Sequence, residues 1–509
     1  MNDTSLKRTS FLLTTQVIVS AITLFALYKF IYSTLGPANL GLWSLVLATT
    51  SVARFTDLGL SGSLGRFVAR YRALNDTNQA ILVIETGIIS VFALLGVVGL
   101  LAFPLLRIAL AYVIPRDKIG IAFAMLPFAV TSIVVSSVAS AVQGALDGCS
   151  RLDLRAMLVM AANIIYVLLA VVLSHFHGLI GLAWAQVVQS LLLAAFSWAM
   201  LRRVLPDAPI LPYRWRRVLF REMIGYSAAY QVAGISMLFY EPVTKMLLAK
   251  FGGLADVGVY EMASRVANQF RSLITAPQQS ILPLAAQANE KGSRAVIALY
   301  EESVRSMFLI LFPTLAVLVA SAPLISVLWL GSLNLSFIHL LVVLALAVGA
   351  QTLIGPSYFT LLGVGSASWV AIGNMTVGIS NLLYGLIFAP LYGNKGIIAG
   401  SVLALLTGSG VIIFRVHKTY KLSWLSFVCP RNARGLFFVI AALLSEISIE
   451  AIVRGTVSAA WAPWAGALII AVPAGVLVTW DYNHSHYMAG LSPGGSLPSE
   501  SAKLYDNAQ

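Results

Sequence analysis

Residues 41–71, "GLWSLVLATTSVARFTDLGLSGSLGRFVARY", decide what kind of molecule this is. The stretch begins with thirteen residues that carry no charge, ends on Arg66 and Arg70 with Arg72 just beyond, and has Arg54 and Asp57 between. About 20 apolar residues cross the hydrocarbon core of a bilayer, so this reads as a membrane span with a basic exit. An arginine at mid-span costs about 2.5–3.5 kcal/mol on insertion scales. Arg54 therefore needs water, a counter-charge or a ligand beside it. Asp57, three residues on, shares its helical face, so a local ion pair is the plain alternative to a functional site.

The rest of the chain agrees with a membrane reading. Of 509 residues 59% are hydrophobic and 10% charged, with a mean hydropathy of +0.87. Soluble domains carry about 25% charged residues, too many to build from this composition. Long continuous apolar stretches, rather than short alternating ones, exclude a barrel and predict an all-α polytopic protein. Fourteen spans are expected, among them 11–34, 42–64, 223–249, 258–284, 435–453 and 462–480.

Charge sets the orientation. Of 33 Lys and Arg, 22 fall in loops on the N-terminal side and 6 on the opposite side; Lys29, Arg54, Lys245, Arg265 and Arg271 lie inside spans. By the positive-inside rule both termini are expected to be cytoplasmic. The same bias explains the net charge of +13 without nucleic acid. Cys149 and Cys429 fall in cytoplasmic loops, which argues against a disulfide framework and a metal site. "MNDTSLKRTS" lacks a cleavage site, so no removable signal is expected. There is no phosphate-binding loop or metal-ligand cluster, and hence no cofactor is expected. Outer loops such as "TLGPAN", "SHFHG" and "LYGNKG" are too short to hold an active site, so the chain is not expected to be an enzyme.

An internal repeat divides the chain. Lys29 lies seven residues before Gly36, and Lys245 seven before Gly252. "GLW" at Gly41 matches "GVY" at Gly258, and Arg54 and Arg271 each follow thirteen residues later. "NIIY" (163–166) and "NLLY" (381–384) each precede a turn and a glycine-led helix, at Gly181 and Gly396. The expected domains are a six-helix lobe (1–201), a basic cytoplasmic linker (202–222), a second six-helix lobe (223–414), two additional spans (415–480) and a disordered cytoplasmic tail (481–509). Six spans per copy give parallel copies, related by a pseudo-twofold axis along the membrane normal with a cavity between them.

Arg54 and Arg271 are mates in this repeat and are expected to face each other across the cavity at mid-depth. Arg271 has no carboxylate at helical spacing on either side. Lys29 and Lys245 either line the same cavity or snorkel to the interface. Glu241 and Lys245 are four apart, as are Glu261 and Arg265, the spacing of pairs that neutralise one another so a helix can insert. Asp57 and Glu241 are the carboxylates placed to couple an ion. Glu85 reads as a boundary residue. Arg66 and Arg70 either anchor the topology or capture an anionic headgroup. Gly59, Gly62 and Gly65 form a small-residue stripe that lets another helix approach closely.

Four stretches carry a family resemblance: "LGPANLGLWSLV" with "DLGLSGSLGRFVARYRA", "QGALDGCSRLDLRAMLVMAANIIY", "FGGLADVGVYEMASRV", and "LLGVGSASW" with "NLLYGLIFAPLYGNKGIIAG". Together, over spans 1–12, they resemble the Wzx-type oligosaccharide flippases of the multidrug/oligosaccharidyl-lipid/polysaccharide exporter superfamily. The resemblance implies movement of a polyprenyl-pyrophosphate-linked oligosaccharide between leaflets by alternating access through a cationic cavity. It also implies membrane lipids, a coupling proton or sodium ion, and polysaccharide polymerase or assembly proteins as partners. Arginines suit pyrophosphate because a guanidinium matches phosphate oxygens bidentately. Tyr28, Tyr32 and Trp43 either stack on sugar rings or form the aromatic belt. The alternatives are an ion-coupled multidrug exporter of MATE type, which would favour acidic cavity residues, and a membrane glycan polymerase or glycosyltransferase, which would need a sizeable outer loop.

Overall fold

A computed structural model describes residues 3–51 and 60–423, and the described residues are all-helical, with no strand among them. The first half contains α1 (Asp3–Leu35), α2 (Pro37–Ser51), α3 (Leu60–Ala73), α4 (Thr77–Val113), α5 (Ile119–Gly148) and α6 (Leu152–Val204). The second contains α7 (Arg217–Phe251), α8 (Leu254–Gln278), α9 (Ile281–Glu290), α10 (Ser293–Ala320), α11 (Ala322–Leu330), α12 (Leu335–Thr352), α13 (Gly355–Gly363) and α14 (Ala367–Tyr420). Arg54, Asp57, the expected spans 435–453 and 462–480, and the tail 481–509 lie outside the described residues.

Helices and spans do not correspond one to one. Seven described helices are long and apolar enough to cross a membrane. Two of them, α6 and α14, run to 53 and 54 residues. Straight, each would reach ~80 Å, far more than the ~30 Å hydrocarbon core. Each instead breaks at one glycine in the left-handed φ region: Gly178 (φ 54°, ψ −131°) and Gly393 (φ 55°, ψ −135°). The chain then doubles back. A Cβ placed at Gly181 would lie 2.1 Å from the Leu173 carbonyl oxygen, and one at Gly396 would lie 2.2 Å from that of Phe388. Residues eight apart in a continuous helix are ~12 Å apart, so both helices are hairpins. The breaks fall where the sequence separates spans 156–174 from 179–201 and 370–389 from 396–414.

The outer faces of these helices are apolar. Leu100, Leu101, Leu105 and Ile108 of α4 and Leu391 near the turn of α14 are all exposed. No aqueous surface would display such rows, and the protein is a multi-pass membrane protein. A single large core joins both halves, drawing Ile31 and Leu45 from the first and Leu248, Val257 and Phe337 from the second.

The seam between the halves is the crossing of α2 and α8. A Cβ at Gly41 would lie 1.8 Å from the Leu254 carbonyl oxygen, and one at Gly258 would lie 2.2 Å from that of Pro37. Leu254 is four residues before Gly258, and Pro37 four before Gly41, so the contact is reciprocal. The two glycines that the sequence aligns are packed against each other's helix.

The connection between the halves, 205–216, is shorter than expected because α6 and α7 extend into it from both sides. It is also tied down. Arg214 Nε donates to Glu85 Oε2 at 2.6 Å, Trp215 Nε1 to Ser90 Oγ at 3.0 Å, and the Arg216 backbone N–H to Thr86 Oγ1 at 3.3 Å. Glu85 is fully buried under this strap, not a boundary residue facing the interface.

Candidate functional site

About five ångströms below the Gly41–Gly258 crossing, three residues along each helix at Ser44 and Glu261, the chain builds a buried ionic cluster. Glu261 of α8 is 1% exposed and takes four donors. Its Oε1 accepts from the Tyr28 hydroxyl at 2.5 Å and from Arg265 Nε at 2.7 Å. Its Oε2 accepts from the Ser44 hydroxyl at 2.8 Å and pairs with Lys245 Nζ at 2.5 Å. Lys245 also donates to Glu241 Oε1 at 2.5 Å, and Arg265 Nη2 lies 4.0 Å from the same oxygen. Two carboxylates and two cations therefore balance. All four acceptor positions of Glu261 are filled, which is what lets a carboxylate stay charged while buried.

The cluster joins the halves, since Tyr28 and Ser44 come from α1 and α2 while Glu241, Lys245, Glu261 and Arg265 come from α7 and α8. Tyr28 and Trp43 are core residues, 2% and 4% exposed, with rings 5.6 Å apart edge to face. They form neither a belt nor an open stacking platform. Lys29 is exposed and stays outside the cluster, one residue round the helix from Tyr28.

Arg265 is 41% exposed on its far side and forms one wall of a cavity of about 420 Å³. The cavity lies between α1, both legs of α6, and α8. α1 contributes Ser20 and Thr23. The outgoing leg of α6 contributes Asn163 and Tyr166, and the returning leg Gln186 and Gln189. α8 adds Asn268 and Gln269 beside Arg265, at the three-to-four-residue spacing of one helical face. Asn163 Nδ2 donates to Ser20 Oγ at 2.9 Å and fixes α6 to α1. In the sequence Asn163 and Tyr166 stand out only as members of the repeat, and the glutamines do not stand out by motif or spacing. The signal they carry is that of side-chain amides inside spans that otherwise avoid polarity.

Arg271, six residues beyond Arg265, turns to another face of α8. It is half-buried, and its Nη1 donates to Gln351 Oε1 of α12 at 3.0 Å, with no carboxylate partner among the described residues. The matched pair "NIIY"/"NLLY" differs in detail: Asn381 bonds the Tyr240 carbonyl and Thr244 of α7, while Asn163 bonds Ser20 of α1. On the basic side, Arg70 pairs with Glu222 of α7 at 2.9 Å across an exposed surface, and Arg66 is exposed.

The helical membrane bundle thus holds a polar, ligand-sized cavity among apolar-faced helices. The chain belongs to the family described as Polysaccharide biosynthesis protein, whose model matches residues 34–338, more than half its length. Its fold is shared with solved transporters. It superposes on a multidrug resistance MATE family transporter of the MOP superfamily in the inward-facing conformation, with TM-score 0.67 and 16% identity over 80% of this chain and 98% of that one. It superposes on the lipid II flippase MurJ, inward closed, with TM-score 0.62 and 13% identity over 91% and 99%. A MOP superfamily transporter from Pyrococcus furiosus, described by the reverse polarity of its binding pocket, gives TM-score 0.56 and 17% identity over 82% and 96%. No curated protein matches significantly.

Proposed function

We propose that this protein is a flippase that carries a polyprenyl-pyrophosphate-linked oligosaccharide across a bacterial-type inner membrane for surface polysaccharide assembly. On this reading there are fourteen spans, both termini are cytoplasmic, and two six-helix lobes rock about a pseudo-twofold axis. The reciprocal Gly41–Gly258 contact and the matched breaks at Gly178 and Gly393 support the two-lobed arrangement. The observation that carries the function is the amide-lined cavity with an arginine in its wall, inside a member of a polysaccharide family.

A sugar headgroup with a pyrophosphate cannot cross hydrocarbon bare, because each unpaired polar group costs several kcal/mol there. The cavity takes the headgroup while the prenyl tail stays in lipid. Arg271, held by an amide and not by a carboxylate, keeps donors for phosphate oxygens, and Arg54 is its proposed mate. Lys245 acts through the cluster that positions Arg265. Glu241, 41% exposed and shared between Lys245 and Arg265, is the proposed entry point for a coupling proton or sodium ion, with Asp57 as its counterpart. A polysaccharide polymerase would receive the product.

An exporter of cationic drugs fits less well, since Glu241 and Glu261 are already matched by Lys245 and Arg265. The test is a flippase-null cell carrying the wild-type gene, Arg54→Ala or Arg271→Ala at equal protein levels, scored for surface glycan. Loss of a charge-assisted phosphate contact lowers transport by about ten- to a hundredfold. Undiminished glycan in both variants, or raised drug tolerance on overexpression with no glycan effect, would overturn the reading.

A further inference from the structure

The cavity between α1, α6 and α8 has a chemistry that a pyrophosphate does not explain. Its one charged wall residue among the described residues, Arg265, is already matched by Glu261 at 2.7 Å and approached by Glu241 at 4.0 Å. The side-chain amides of Gln186, Gln189, Asn268 and Gln269 line the cavity and make no hydrogen bond to another described residue. Two atoms are more exacting still. The Tyr166 hydroxyl and Gln186 Oε1 are buried with no hydrogen-bond partner among the described residues. Buried polar groups are normally paired, and leaving one unpaired costs about 1–3 kcal/mol.

We infer that this cavity is a glycan subsite, separate from the phosphate-binding arginine, and that Tyr166 and Gln186 are its specificity-determining contacts. The inference rests on the reading of the protein as a carrier of lipid-linked oligosaccharide. An uncharged ring dense in hydroxyls is the ligand that matches this wall, because each hydroxyl donates and accepts, as each side-chain amide does. Leu24, Leu27 and Val167 supply the apolar patches that the C–H faces of a sugar ring need. An acyl chain would leave four amides unpaired, and a second anion would meet, among the described residues, a single cation already matched by carboxylates. The volume lies within the about 300–1,000 Å³ of small-ligand sites. The arrangement separates two tasks: Arg271 on one face of α8 holds what every lipid-linked substrate shares, and the cavity on another face reads what distinguishes them.

The test uses the full-length protein in nanodiscs of phosphatidylethanolamine and phosphatidylglycerol with two probes. One is undecaprenyl pyrophosphate, which has no sugar. The other is the undecaprenyl-pyrophosphate-linked glycan pool extracted from the cells that make this protein. Wild type binds the glycan-bearing probe at least about tenfold more tightly. Tyr166→Phe and Gln186→Leu each reduce that ratio by about three- to tenfold, the worth of one hydrogen bond. Leu24→Trp, which fills the cavity and leaves every amide in place, abolishes the preference in protein that keeps its thermal midpoint. An unaltered ratio in all three variants overturns the inference. Equal binding of both probes by wild type removes the glycan subsite and leaves the carrier reading standing; binding of neither removes both.

Discussion

Glu261 receives one donor from each of four helices, so its carboxylate is where α1, α2, α7 and α8 are held in register. Lys245, 1% exposed, is the donor whose loss does most harm, because it serves two carboxylates and no water can replace it. Lys245→Met is expected to lower stability by about 3–5 kcal/mol, the usual consequence of removing one partner of a buried pair. The measurement is the thermal midpoint in nanodiscs. The double variant Lys245→Met/Glu261→Gln restores the charge balance and recovers most of the loss. A single variant as stable as wild type would show that the cluster is not held by charge. The sequence spacing did find both halves of this cluster, Glu241 with Lys245 and Glu261 with Arg265, since four-residue spacing is a property of one helix. That the two pairs interlock, and that Tyr28 closes them from the other half, depends on how α1, α7 and α8 pack, and periodicity carries nothing about that.

At the scale of elements, the connection 205–216 behaves as a strap. Three successive residues, Arg214, Trp215 and Arg216, bond to Glu85, Ser90 and Thr86 of α4, and Trp198 and Arg202 of α6 donate to the carbonyls of Ile210 and Ala208. Arg214→Ala leaves the Glu85 carboxylate buried without its counter-charge, and a loss of about 3–5 kcal/mol is expected in the thermal midpoint. Arg214→Leu/Glu85→Leu, which replaces the pair with apolar groups, returns to within about 1 kcal/mol of wild type. Equal loss in the two variants would place the stabilisation in packing and not in the ion pair. The basic, proline-bearing composition of 202–222 was legible as an inter-lobe connection, but composition alone reads as a loose linker. What ties it down is a buried acid on a distant helix. The hairpins of α6 and α14 were more readable, because a glycine between two apolar runs of bilayer length leaves the chain few other paths.

In the whole molecule, the two halves meet closely at the starts of α2 and α8, which the proposed topology places at the outer face. Backbone touches backbone at Gly41 and Gly258, and the Glu261 cluster seals the seam below. If the protein is the flippase proposed above, delivery to the outer leaflet requires both contacts to part. Gly258→Ala attacks the first without altering any charge: its Cβ would fall 2.2 Å from the Pro37 carbonyl oxygen, and rigid backbone on both sides leaves nowhere to move. Overpacking of this kind costs about 1–3 kcal/mol, and here the cost falls on the closed state alone, so the open population rises about 5- to 150-fold. Ser44, 1% exposed directly beneath the crossing, is the reporter. Ser44→Cys reacts slowly with a membrane-impermeant maleimide added outside the cell, and Ser44→Cys/Gly258→Ala reacts faster by that factor. Identical rates would mean that the seam does not open to the outside, and the site of release would then have to be sought elsewhere in the bundle.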